Sequence, residues 1–359
     1  MFGGIYNNRR VLVTGHTGFK GSWLCKWLEI LGAEIAGYSL APITNPNHFE
    51  LTNLKIKSYI HDIRDYYLIK KVMSDFKPEF VFHLAAQPSV LESYDNPLDT
   101  YSTNIMGSVN VLEASRHTDS VRSVVVVTTD KVYRNNEWNY GYRENDELGG
   151  HDPYSASKAS TELVTESYRK SFLTNDTDTP LIASARAGNV VGGGDWTENR
   201  IIKDAVTAAS KDKKILIRNP NSSRPWQHVL EPLSGYLLLG QHLHQRNFDI
   251  VGSWNFGPAL SSNLTVKDLV KLMSKEWDKV VGDCQINNHA RHEAQSLMID
   301  STKARSTLGW NPVWDIKKTV QYTMEWYRTY FEDNFVITDE QIKRYLIAAK
   351  ENKSIWACQ

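Results

Sequence analysis

Tyr154 and Lys158 stand four residues apart, which puts both side chains on one face of a helix, where an ammonium can stabilise a tyrosinate and make it a base. Alone the spacing is a weak signal, because Tyr66/Lys70 and Tyr67/Lys71 repeat it on an early helix as solvated face residues. Only the Tyr154 pair opens a helix shortly after a strand whose carboxyl end should face a ligand crevice. Just upstream, the run Ser123 to Thr128 leads into Thr129, Asp130 and Lys131. A hydroxyl, an acid and a base at a strand end can move protons, and the same three residues would also serve as a capping turn.

A third group lies near the start. Val11 to Thr14 reads as a buried strand that runs into Gly15, Thr17, Gly18, Phe19, Lys20 and Gly21, then into a helix. Glycine at those three places lets the chain turn tightly, brings N–H groups up to a pyrophosphate at the positive helix end, and packs helix on strand. The next strand closes with Gly37, Tyr38, Ser39 and Leu40, with no acid for the ribose hydroxyls and no basic residue for a 2′-phosphate. NAD is therefore expected over NADP. His61, Asp62 and Ile63 close what should be the third strand, where Asp62 either approaches the adenine amine or caps the helix that follows.

These groups need a scaffold that gathers strand ends. Short β-branched runs at Val11 to Thr14, Glu34 to Leu40, Phe80 to Leu84, Ser123 to Thr128 and Leu181 to Ala185 alternate with helical stretches at Gly18 to Leu31, Asp65 to Phe76, Pro97 to His117 and Pro153 to Leu173. That alternation predicts an α/β fold with a doubly wound parallel Rossmann sheet. Past Gly188 the texture turns to Gly, Asn and Pro loops with isolated basic residues, then to helices around Thr265 to Trp277, Thr302 to Leu308, Ile316 to Phe331 and Asp339 to Lys350. Residues 1–187, joined by 229–253, are expected to form the dinucleotide domain. Residues 188–228 and 254–359 should form a smaller mixed α/β lobe for the substrate.

The 41 basic side chains balance 41 acidic ones, so no global field favours nucleic acid or an anionic membrane. No apolar run approaches the roughly 18 to 20 residues needed to cross a bilayer, and the first residues lack a secretory core. Cys25, Cys284 and Cys358 are too scattered for a disulfide framework or a zinc site. A soluble cytoplasmic protein without metal is the expectation.

The runs Thr14 to Gly21, His83 to Gln87, Thr128 to Tyr133 and Tyr154 to Lys158 together resemble the extended short-chain dehydrogenase/reductase family acting on nucleotide sugars. Within it, Arg186 to Trp196, Arg224 to His228 and Trp254 to Pro258 point to the 4,6-dehydratases, and the resemblance runs from about Arg9 to about Tyr330. It implies that Tyr154 and Lys158 begin the reaction at the sugar 4-hydroxyl, that Thr129 holds the 4-oxygen, and that Asp130 gives its proton to the departing 6-hydroxyl. Other dehydratases of the family carry glutamate where this chain has Lys131, which then acts either as the carbon-5 base or as an electrostatic stabiliser of the enolate. Leu84, Ala85 and Ala86 should lie beside NAD. Gln87, Ser89, Asn189, Arg218, Arg224 and His292 should meet the nucleotide sugar, with His228 a further possible contact and His83 a satisfied core histidine. A 4-epimerase or reductase shares the glycine loop, Tyr154 and Lys158, but the Thr129–Asp130 pair favours dehydration. A silent NAD-binding scaffold would not need the intact tyrosine and lysine. The resemblance also implies a homodimer or homotetramer, paired through Pro97 to His117 and Pro153 to Leu173.

Overall fold

The computed structural model describes every residue except 173–178, 218–219, 260–261 and 285–296. Seven parallel strands form the central sheet. They are β1 (Arg10–Thr14), β2 (Glu34–Ser39), β3 (Lys57–Ile60), β4 (Phe80–His83), β5 (Ser123–Val127), β6 (Leu181–Ala187) and a last strand at Gly252–Phe256. In space they run Gly252–Phe256, β6, β5, β4, β1, β2, β3, so the order reverses at β1 and the crevice opens there, outside the carboxyl ends. The chain is an α/β Rossmann protein. The inner strands β1, β4 and β5 are nearly continuous apolar runs because helices cover both faces: Val11 and Val13 of β1 enter one core and Leu12 the other, and Val125 and Val124 of β5 divide the same way.

Helices start where the sequence supplies caps. Asp65 accepts from the Leu68 N–H at 3.0 Å and opens Tyr66–Phe76. The cap is thus Asp65 and not Asp62, whose carboxylate is taken by its neighbour Arg64. On Tyr66–Phe76, Tyr67, Lys70 and Lys71 are exposed, as expected of the two decoy pairs. The expected helix from Pro97 to His117 is three pieces: Pro97–Tyr101, a π-helical turn at Ser102–Met106, and Gly107–Arg116. The wider turn exposes the backbone oxygen of Asn104 to hydroxyls, and both Ser108 and Thr161 donate to it.

Beyond β6 small two-stranded pairs build the second side of the molecule: Val190–Val191 with Gln227–His228, Ser223–Pro225 with Asn263–Thr265, and Ile215–Ile217 with Gly282–Cys284. Two features differ from the expected division. The strand Gly252–Phe256 pairs with β6 along its whole length, so the sheet continues past position 253. The helix Ile316–Asp333 stays with the second lobe, where Tyr327 meets Trp196 and Phe331 meets Trp277, but Thr338–Glu351 and the residues after it also reach the other side. Tyr345 meets Trp27 edge to face at 5.6 Å, Trp356 stacks on Phe2 at 5.1 Å, and Lys26 pairs with Asp339 at 3.3 Å, fastening this segment to the first helix of the Rossmann side. Sequence separation hid these contacts, which only burial of large rings explains.

Candidate active site

The glycine loop is built for a ligand that comes close to backbone. Gly15 has φ +76°, and a Cβ there would stand 2.8 Å from the Ala85 nitrogen; a Cβ on Gly21 would stand 2.1 Å from the Gly15 oxygen. The helix Phe19–Ile30 begins at Gly18, which offers its first N–H groups no side-chain cap. An anion can take those donors, so the cradle fits the pyrophosphate of a dinucleotide. Thr17 fastens the loop to the end of β2, through Ser39 at 2.9 Å and the Leu40 oxygen at 2.9 Å. The Thr14 hydroxyl accepts from the N–H groups of Leu84 and Ala85, both at 3.1 Å, locking the next strand end, from which Ala86 continues.

His83 is the core histidine that was expected. It bonds Thr14 at 2.8 Å and Ser108 at 2.9 Å, and burial lowers it to about 3, so it stays neutral. Just past the end of β3, Asp62 holds Arg64, which lowers its carboxyl, and Ile63 packs under Gly107.

The candidate reacting groups converge at the end of β5. Thr129 caps a single 3-10 turn, Asp130–Val132, as the capping reading of this segment expects. The Thr129 hydroxyl reaches Oδ1 of Asp130 at 2.9 Å, and the Lys131 ammonium lies 4.0 Å from the same carboxylate. Oδ2 of Asp130 is buried against Gly188 with no hydrogen-bond partner among the described residues. Tyr154 and Lys158 come in on the helix Pro153–Phe172. Burial pushes the Tyr154 phenol up to about 12, opposed by a hydrogen bond to Thr129 and by the Arg200 guanidinium. Burial, then the nearby Lys20 ammonium, lower Lys158 to about 8, and it donates to the Val127 oxygen at 3.3 Å.

Lys20 and Arg200 are the residues whose aim the sequence did not reveal. Lys20 was read through its backbone, yet its ammonium lies in the field of Asp130, Arg200, Asp195 and Lys131, and burial lowers it to about 8. Arg200 is exposed, and its position as an isolated base after a glycine-rich loop was the available signal.

The substrate side is mixed. Asn189 leads into the pair Val190–Val191, its oxygen accepting from Gln227, and Arg224 sits half-buried on Ser223–Pro225. The Gln87 amide is committed to the Ser89 oxygen and the Thr100 hydroxyl, each at 3.0 Å, and Ser89 caps the helix Val90–Asp95. Both shape the loop after β4. His228 is a correction: it is fully buried between Trp23 and Trp314, neutral because burial lowers it to about 3, and it belongs to the core rather than to a substrate surface. Arg218 and His292 lie outside the described residues. No metal-binding cluster of His, Cys, Asp and Glu occurs among the described residues.

Residues 12–323 match the model of the GDP-mannose 4,6 dehydratase family, and the chain belongs to that family. Over 350 residues it is 43% identical to a CDP-glucose 4,6-dehydratase of Salmonella typhimurium, covering 96% of this chain and 98% of the relative. Among solved structures, UDP-glucose 4-epimerase of Thermotoga maritima superimposes with a TM-score of 0.77 at 23% identity, covering 90% of this chain and all of the other. The dTDP-glucose 4,6-dehydratase of Bacillus anthracis, solved with NAD, superimposes with a TM-score of 0.74 at 21% identity, covering 91% and 98%. These two share the fold.

Proposed function

We propose that the chain is a CDP-glucose 4,6-dehydratase, a lyase that makes CDP-4-dehydro-6-deoxyglucose and water for deoxysugar synthesis such as that of lipopolysaccharide O-antigens. The observation that carries it is the meeting of Tyr154, Thr129, Asp130, Lys131 and Lys158 at one strand end, in a chain close to a relative of that name. NAD, when bound, would supply a temporary hydride store for the oxidation at sugar carbon 4 and the reduction at carbon 6. Residues of the glycine loop, Gly15 to Gly21, with Asp62, Ile63 and Leu84 to Ala86, would hold that cofactor.

Tyr154 takes the proton of the sugar 4-hydroxyl, with the Lys158 ammonium stabilising the tyrosinate it starts from. Thr129 donates to the 4-oxygen as charge builds there. Once carbon 4 is a ketone the carbon-5 proton is acidic, and Lys131 either removes it or steadies the enolate that results. Asp130 gives its proton to the 6-hydroxyl, which leaves as water, and a proton returns to carbon 5 when the stored hydride is added at carbon 6. Asn189 and Arg224, with Arg218 and His292, are the proposed contacts of the nucleotide sugar, and Gln87 and Ser89 the proposed contacts of the hexose.

Assembly as a homodimer or homotetramer in the cytoplasm belongs to the same reading. Leu98 and Met106 on one side and Leu163 on the other are exposed apolar residues of the two segments expected to pair. No helix among the described residues is long and apolar enough to cross a membrane.

The test is isotopic. Substrate carrying deuterium at carbon 4 should give product with that deuterium at carbon 6, moved within one molecule, and mass spectrometry of the product methyl group reads it. Extensive crossover in a mixture of labelled and unlabelled substrate, or steady release of reduced cofactor, would overturn the assignment.

A further inference from the structure

One turn beyond Lys158, on the same helix face, Glu162 is buried with its side chain 1% exposed. Its Oε1 accepts from the Thr128 hydroxyl at 2.5 Å. Its Oε2 accepts from Ser184 at 2.7 Å, from the Arg186 guanidinium at 2.9 Å and from Ser253 at 3.1 Å. A single carboxylate thus ties the helix of Tyr154 and Lys158 to three adjacent strands: β5 through Thr128, β6 through Ser184 and Arg186, and Gly252–Phe256 through Ser253. Arg186 extends the chain of bonds. It donates to the Tyr133 hydroxyl at 2.9 Å and the Glu144 oxygen at 3.1 Å, and Tyr133 in turn donates to Asn255 at 2.7 Å.

Thr128 immediately precedes Thr129 and Asp130, and Tyr133 immediately follows the turn Asp130–Val132. The network therefore grips the catalytic turn at both ends while its centre rides on the catalytic helix. Burying an ion pair costs desolvation that its attraction offsets only with good geometry, and an apolar pair of similar volume fills a core as well. What an apolar pair cannot supply is a fixed separation between two backbone segments that both present reacting groups.

We propose that Glu162 is a positioning residue, which together with Arg186 sets the Thr129–Asp130 turn against the Tyr154–Lys158 helix. This rests on the catalytic reading above. The carboxylate touches neither substrate nor cofactor and acts through Thr128 and Tyr133. Its negative charge also works on Lys158 from behind, against the burial that lowers that ammonium.

Thr128→Val removes one bond to Glu162 and leaves the Glu162–Arg186 pair in place. With CDP-glucose and saturating NAD, kcat should fall between about 10- and 100-fold, the scale of a small misplacement of reacting groups. Calorimetric Kd for CDP-glucose and the melting temperature should stay near the parent values, and Thr128→Ser, which restores the hydroxyl, should recover most of the loss. In Glu162→Gln, if it folds, the alkaline limb of the kcat profile should move to lower pH as the anion behind Lys158 is lost. Parent-like kcat in Thr128→Val, or a loss that Thr128→Ser does not recover, overturns the proposal. The parent enzyme and Tyr154→Phe test the catalytic reading separately: if the parent does not dehydrate CDP-glucose, or Tyr154→Phe still does so normally, that reading fails whatever Thr128→Val does.

Discussion

The Thr129 hydroxyl lies 2.9 Å from the Asp130 carboxylate, and the same Thr129 works against the burial that raises the Tyr154 phenol. It has one proton to give. While Tyr154 is a phenol it can donate to Thr129, which donates to Asp130; once Tyr154 is ionised, the Thr129 proton is free to turn to that oxygen and then to the sugar 4-oxygen as charge passes there. The acid and the base of the proposed cycle are thus coupled through a single rotor.

Tyr154→Phe keeps the ring and removes the base, so turnover of CDP-glucose should drop by about 100-fold or more while nucleotide-sugar binding holds. Thr129→Val removes only the donor and the link, and a loss of roughly 10- to 100-fold is expected. Stopped-flow measurement of the first hydride step checks both. Turnover within about threefold of the parent in Tyr154→Phe removes that residue from the mechanism.

Asp130→Asn retains the shape of the turn but has no acidic proton for the 6-hydroxyl. The variant should oxidise carbon 4 and then stall, so that reduced-cofactor absorbance accumulates in rapid-scan spectra. Normal product formation without such accumulation excludes Asp130 as the acid.

Lys158 and Lys20 both lie near 8, each held down first by burial, and Lys20 further lowers Lys158 by charge. A step that needs the Lys158 ammonium is fully supported below that value and fails as pH rises through it. Lys20→Met removes the repelling cation, so Lys158 should hold its proton to higher pH. The alkaline limb of the kcat profile should move up by about half a unit or more at saturating NAD. A limb that stays put, or moves down, means that the two ammonium groups do not interact.

Away from the site, Glu231 is buried and takes the N–H groups of Val313 and Trp314 at 2.9 and 2.8 Å and the Tyr345 hydroxyl at 2.7 Å. Burial raises it from 4.5 to about 7. Its folded form binds a proton that the unfolded chain releases above about 4.5, so stability should decline as pH climbs from there through 7, by up to about 3 kcal/mol. Denaturant melts between pH 5 and 8 should show a shallower decline in Glu231→Gln.

Strands and the glycine loop were legible because their signals are local: a β-branched run, three glycines at fixed spacing, and a helix start. The catalytic turn was legible for the same reason, with Thr129, Asp130 and Lys131 consecutive and Tyr154 and Lys158 one helical turn apart. What escaped is made by distance. Nothing in the run around His228 shows that Trp23 and Trp314 enclose it, and nothing near Asp62 shows that Arg64 claims its carboxylate while Asp65 does the capping. Lys20 was read as part of a backbone cradle, since a motif reports where the chain turns and not where a long side chain ends. The packing of Thr338–Glu351 on the first helix escaped as well, because an amphipathic helix carries no mark of which distant element its apolar face will cover.

The return of Thr338–Glu351 onto the first helix, through Trp27, Tyr345 and the Lys26–Asp339 pair, has a mechanical side. Two lobes joined by a slender linker swing about a hinge, and that is the default for domains with small polar interfaces. Here the chain crosses back and is riveted by large rings, while Glu231 clamps Val313 and Trp314 from within. A clamshell motion would have to break that aromatic joint. A substrate entering such a frame would meet its give in the loops at the crevice mouth rather than in a hinge behind them.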